Sequence, residues 1–137
     1  MASEQSTTDP TTRPPGHDVA AYLRDFPTAM ALGAEDPAAI VDRYHTSDLE
    51  QYSDGLRLDR DALVAHARPA RRNVEGLAID VHDAVSGAGR VAARYTLTAT
   101  MRSGDIVANE VYMFGLVAAD GRLRRIDQLT RSLTPSG

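Results

Sequence analysis

From His17 onward the large apolar residues recur at helical spacing, with Val19, Tyr22, Leu23, Phe26 and Met30 on one stripe. Asp18 is placed to cap this helix, Gly33 to end it, and Pro27 is expected to kink it. Asp36 followed by Pro37 reads as the N-cap and first position of a short second helix carrying Ala39, Ile40, Val41 and Tyr44. Leu49 to Ser53 fits a brief strand, Asp54-Gly55 a turn, and Asp59 the cap of a third helix from Arg60 to about Asn73. That helix places Leu63, His66, Ala67 and Ala70 on one face. His17 and His45 fall at a helix start and in a loop on this reading.

After Gly76 the period changes from 3.6 to two, which marks the passage from helices to a sheet. Leu77, Ile79, Val81 and Val85 alternate with Ala78, Asp80 and His82. Turns at 87–89, Ser103-Gly104 and Asp120-Gly121 separate further strands near 91–100, 106–118 and 122–133. The expected order is two helices, a strand, a helix and a four-stranded meander, an α+β domain. One face of the meander carries Val91, Ala93, Tyr95 and Leu97, then Asn109, Val111 and Met113, then Ile126, Gln128 and Thr130. The opposite face carries Glu110, Tyr112, Phe114 and Leu116 beside Arg94, Arg125 and Asp127. A one-residue bulge would exchange these faces.

Residues 1–16 hold three of the seven prolines, four threonines and no large apolar residue after Met1, so they are expected to form a disordered tail. The folded domain is then residues 17–133, with 134–137 as a C-terminal tail. At 137 residues one domain can bury a sizeable core. The formal charge of −4, with all fifteen basic residues arginine, argues against nucleic acid as a partner. No apolar run approaches the roughly 20 residues of a membrane span, and 1–16 lacks the apolar stretch of a secretory signal, so a cytoplasmic location is expected. The absence of cysteine removes disulfides and thiolate nucleophiles or ligands. No two histidines and carboxylates share a ligand-like spacing, so no metal site is expected.

The stretch AIVDRYHTSDLEQYSDG before the third helix and VYMFGLVAADGRLRRIDQL closing the sheet resemble the SnoaL-like branch of the nuclear transport factor 2-like superfamily. The resemblance covers about residues 17–133, and its most specific part is the final hairpin around Asp120-Gly121-Arg122-Leu123. It implies a cone, in which three helices pack on a strongly curved, mainly antiparallel sheet around an internal pocket. Families of this shape include polyketide cyclases, ketosteroid isomerases, epoxide hydrolases, dehydratases and non-catalytic binders. The isomerases place a carboxylate base where this chain has Tyr52, two residues after Glu50, and a protonated acid near Met113. The hydrolases use a carboxylate near Gln128, beside Asp127. Those carboxylates are not at the matching positions here.

The inward face and the resemblance together suggest a substrate site of Tyr95, Asn109, Met113 and Gln128, completed by Tyr52 and His66. His66 is the group there that titrates near neutral pH, and with Tyr52 it is the expected catalytic pair. His82, spaced from Asp80, falls on the outer face. The expected ligand is a hydrophobic small molecule, and the expected activity a cofactor-free cyclisation or isomerisation in natural-product biosynthesis. A non-catalytic binding or accessory role and epoxide hydrolysis are the alternatives. The apolar outer stripe through Tyr112 and Phe114 is expected to form a homodimer, as families of this kind commonly dimerise through the sheet.

Overall fold

Residues 13–133 are described by the computed structural model, which contains three helices and six strands. In chain order they are α1 (Val19–Leu32), α2 (Pro37–Tyr44), β1 (His45–Ser53), β2 (Leu56–Asp59), α3 (Arg60–Asn73), β3 (Val74–Gly87), β4 (Arg90–Met101), β5 (Ile106–Val117) and β6 (Leu123–Ser132). Each helix starts on an aspartate that fills one of its unpaired N–H groups. Asp18 Oδ1 accepts from the Ala21 N–H at 3.0 Å, Asp36 Oδ1 from Ala38 at 3.2 Å, and Asp59 Oδ1 from Ala62 at 2.9 Å. Pro27 lies inside α1 without ending it. Arg71 on α3 closes the other end of α1, its guanidinium donating to the carbonyls of Met30, Ala29 and Glu35 at 2.8 to 3.1 Å.

The sheet order is β2-β1-β6-β5-β4-β3, open at both edges. It is mixed, because β1 runs parallel to β6 while every other pair is antiparallel. Register shifts interrupt the β1–β6, β3–β4 and β5–β6 ladders, and bulges of this kind bend a sheet. The curved sheet holds the helices on one side. Ile40, Val41, Leu49, Val91 and Leu123 are sealed between the layers, with Tyr22, Leu23, Leu63 and Ala67 packed around them.

Four sequence expectations change here. Leu56–Asp59 is a strand pairing with β1, where only the approach to a helix cap is legible in the sequence. His45 is not in a loop: it is the first residue of β1 and fully buried. The bulge at His82 ends the alternation of β3, so Val85 is 66% exposed rather than on the core face. Part of the segment expected to be a disordered tail is packed. Pro15 is fully buried, and the Gly16 N–H donates to the Gly121 carbonyl at 2.8 Å. A Cβ on Gly121, whose φ is +90°, would stand 2.5 Å from Pro14 Cβ, so only glycine lets this turn seat the segment. The remainder of the expected tail, 1–12, and 134–137 lie outside the described residues.

Candidate functional site

Between α1, α3 and the concave side of the sheet lies a cavity of about 620 Å³. Its walls are mainly apolar, with Met30, Leu58, Leu63, Leu77 and Leu97 among them. A second space of about 100 Å³ continues it inward, sharing Phe26, Pro27, Gln51, Leu63 and Gln128 and adding Tyr22, Tyr95 and Met113. The polar groups of the outer part are Gln51, Ser53, Asp54, His66, Gln128 and Thr130. This composition, apolar walls with a few polar groups, is the usual one for small-molecule sites.

Alternation decides which strand residues reach this space. Met113 pairs with Ala93 and Gln128, and Tyr95 pairs with Val111, so these side chains share the concave face. Val111 and Met113 are buried, whereas Tyr112 and Phe114 between and beyond them are 49% and 45% exposed. Tyr95, Met113 and Gln128 therefore line the inner space. Asn109 is on the same face, opposite Leu97 and Ser132, but is not among the residues lining either space. His66 lines the mouth from α3 and is exposed to solvent.

Tyr52 is turned away from the cavity, contrary to expectation. Its strand pairs with β6 in the register Gln51↔Ile126, Tyr52↔Asp127 and Ser53↔Gln128, which sends Gln51 and Ser53 inward and Tyr52 outward. There the Arg125 guanidinium sits 4.7 Å from the Tyr52 ring centroid and donates to both Asp127 carboxylate oxygens at 3.0 and 3.2 Å. Glu50 is on the same outer side, in ion pairs with Arg57 and Arg125. His82 is also an outer-face group, hydrogen-bonded to Thr96 Oγ1 at 2.7 Å. Asp54 stands at the cavity rim, where its Oδ1 already accepts the Thr130 N–H at 2.8 Å.

A further histidine, absent from the expected site, is joined to the wall of the inner space through Tyr22. His45 Nδ1 is 2.8 Å from the Val41 carbonyl, and its Nε2 is 2.7 Å from the Tyr22 hydroxyl. A carbonyl can only accept, so Nδ1 carries the hydrogen and the Tyr22 O–H donates to Nε2. Burial holds His45 neutral, its pKa pushed down to about 4, and raises Tyr22 well above the usual tyrosine range. Tyr95 is pushed up to about 12, also by burial. The signal available for His45 was its place four residues after Val41 at the end of an amphipathic helix, where an imidazole can add a second bond to a carbonyl of the last turn.

No protein-family model matches the sequence, and no curated protein matches it. Solved structures do. IdmH of Streptomyces antibioticus, a proposed polyketide cyclase, is 16% identical, with a TM-score of 0.64 over 85% of this chain and 91% of that one. An NTF2-like protein of unknown function from Exiguobacterium sp. 255-15 is 10% identical, with a TM-score of 0.64 over 80% and 94%. A protein of Catenulispora acidiphila with a ketosteroid isomerase-like fold, in complex with trimethylamine, is 11% identical, with a TM-score of 0.60 over 88% and 85%. The chain therefore has the NTF2-like α+β fold, the architecture of the ketosteroid isomerase-like proteins and of IdmH. At these identities the likeness fixes architecture and leaves the chemistry to the site.

Among the described residues no group of three or more histidines and carboxylates is placed to hold a metal ion, and no helix is long and apolar enough to cross a membrane.

Proposed function

We propose that this protein binds a small, largely apolar, oxygen-bearing molecule in the cavity between α3 and the sheet. There the molecule undergoes a cofactor-free cyclisation or isomerisation, with His66 exchanging a proton at the mouth. The observation that carries the reading is the lining: apolar walls from both layers, a histidine at the entrance, and Tyr95, Gln51 and Gln128 as uncharged groups toward the inner end. Holding a flexible substrate in one shape, together with proton transfer from a placed imidazole, accounts for such reactions without a metal. Tyr52 has no part in this reading, since it faces the other side of the sheet. Placement in natural-product biosynthesis and in the cytoplasm belongs to the same proposal.

A second reading, binding without catalysis, is favoured by one observation. The inner space is lined by no carboxylate, and the rim's Asp54 is already engaged by a backbone N–H. Epoxide hydrolysis loses support, because Asp127 and Glu50 are both outward and paired with arginines. The outer stripe of Tyr112, Phe114 and Leu129, with a groove of about 520 Å³ beside it, supports a homodimer through the sheet.

The test measures binding and product formation on a panel of polycyclic enones and β-diketones for wild type, His66→Ala and Asp127→Asn. Turnover lost in His66→Ala, with affinity held within about tenfold, is expected. Binding without product in the wild type selects the non-catalytic reading. Activity lost only in Asp127→Asn would reverse the assignment of faces.

A further inference from the structure

Two tyrosines line the inner space, and the hydrogen bonds leave only one of them free to act as a donor. The Tyr22 hydrogen is committed to His45 Nε2, whose ring is locked by the bond from Nδ1–H to the Val41 carbonyl. Tyr95, only 6% exposed, has no hydrogen-bond partner for its hydroxyl among the described residues. Among those residues no side-chain nitrogen or oxygen is sealed from open space without a partner. The Tyr95 oxygen therefore borders the space itself rather than packed protein. The remaining polar groups there are the Gln51 and Gln128 amides, with Gln51 Nε2 donating to Ser53 Oγ at 3.0 Å, and no charged side chain lines the chamber.

We infer that the inner chamber is a socket for an uncharged oxygen, in which the Tyr95 O–H donates to a ketone, enol or phenol oxygen of the ligand while Tyr22 is barred from that role by His45. The inference rests on the cavity reading above and adds the class of group that enters first. A carboxylate or phosphate would shed its water there and meet no opposite charge, whereas a ketone or phenol sheds less and gains a bond. The chamber, at about 100 Å³, has room for the end of a ring system, with the rest of the molecule in the 620 Å³ outer part. Burial keeps Tyr95 protonated throughout the working pH range, so it stays a donor.

The experiment uses three probes of one shape, 2-naphthol, naphthalene and 2-naphthoate. Their binding is followed by fluorescence to wild type, Tyr95→Phe and the double variant Tyr22→Phe/His45→Leu. Wild type is expected to bind 2-naphthol about tenfold more tightly than naphthalene, the scale of one buried hydrogen bond, and 2-naphthoate more weakly than 2-naphthol by a similar factor or more. Tyr95→Phe should fold normally, because the lost hydroxyl leaves no protein group unpaired, and should bring 2-naphthol down to naphthalene. The double variant removes both members of the Tyr22–His45 bond, while the Val41 carbonyl keeps the backbone N–H of residue 45. It should retain the preference, and should it not fold, Tyr22→Phe alone takes its place. A preference that survives Tyr95→Phe, or that closes in the Tyr22 variants, overturns the assignment. Equal binding of all three probes by wild type overturns the socket and leaves the cavity reading standing. Binding of none overturns both.

Discussion

Tyr22 on α1 and His45 at the start of β1 meet through a buried hydrogen bond of 2.7 Å, and that bond joins the first helix to the sheet at the inner end of the cavity. The burial of His45 at this point also makes the fold acid-sensitive. His45 has a folded pKa of about 4, below the unfolded value near 6.5, so between those values the unfolded chain holds the proton that the folded chain refuses. Stability is therefore full above about pH 6.5 and falls with pH until the folded pKa is reached. From this group alone, lowering the pH from 7.5 to 5 should remove about 2 kcal/mol. Urea melts at the two pH values measure it, and the Tyr22→Phe/His45→Leu variant should lose that share of the pH dependence. An unchanged difference in the variant would assign the acid sensitivity elsewhere.

Removal of residues 1–16 should lower the melting temperature by about 5 °C, corresponding to roughly 1 kcal/mol for a domain of this size. The reason is the buried ring of Pro15 and the bond from Gly16 to Gly121, both of which the truncation removes. Calorimetry on the truncated and full chains decides the matter, and coincident melts would show that the docked segment contributes nothing.

Ala70 lines the mouth of the cavity from α3, where a larger side chain has open space to enter. Ala70→Phe should leave the melting temperature within about 2 °C and cut 2-naphthol binding at least tenfold, by occupying volume rather than by breaking contacts. Retained affinity would place the probe somewhere other than this cavity.

Gly115 faces the core from β5, and a Cβ there would stand 2.9 Å from both Leu123 Cδ2 and Val91 Cγ2. Gly115→Val is expected to destabilise by about 1 to 3 kcal/mol through overpacking. A chemical-denaturation midpoint equal to the wild type would mean that the β5–β6 layer yields more readily than its packing implies.

Tyr112 and Phe114 stand out from the convex face, and the proposed dimer would cover them. Tyr112→Glu combined with Phe114→Glu should give monomers, because burying unpaired carboxylates costs several kcal/mol. Light scattering reads the mass directly, and an assembly unchanged by both substitutions would exclude this interface.

The helices and most strands were legible in the sequence because their signals are local. Asp18, Asp36 and Asp59 announce helix starts through bonds that reach only two or three residues, and the alternation along 106–117 follows from the two-residue repeat of any strand. The concave placement of Tyr95, Met113 and Gln128 follows from that repeat. The face of Tyr52 is not legible locally because it depends on the register of β1 against β6, a parallel pairing between segments far apart in the chain that no nearby residue encodes. His45, expected in a loop, is buried at the start of β1 for a related reason: Tyr22, from 23 residues away, satisfies its second nitrogen. Pro15 and Gly16 gain their order from a turn more than a hundred residues later. Composition, caps and periodicity were thus determined by the sequence alone, since each is settled within a few bonds. Which side chains share the cavity, and which tyrosine keeps a free hydroxyl there, was decided only by the tertiary structure, because both depend on partners brought together by long-range pairing and packing.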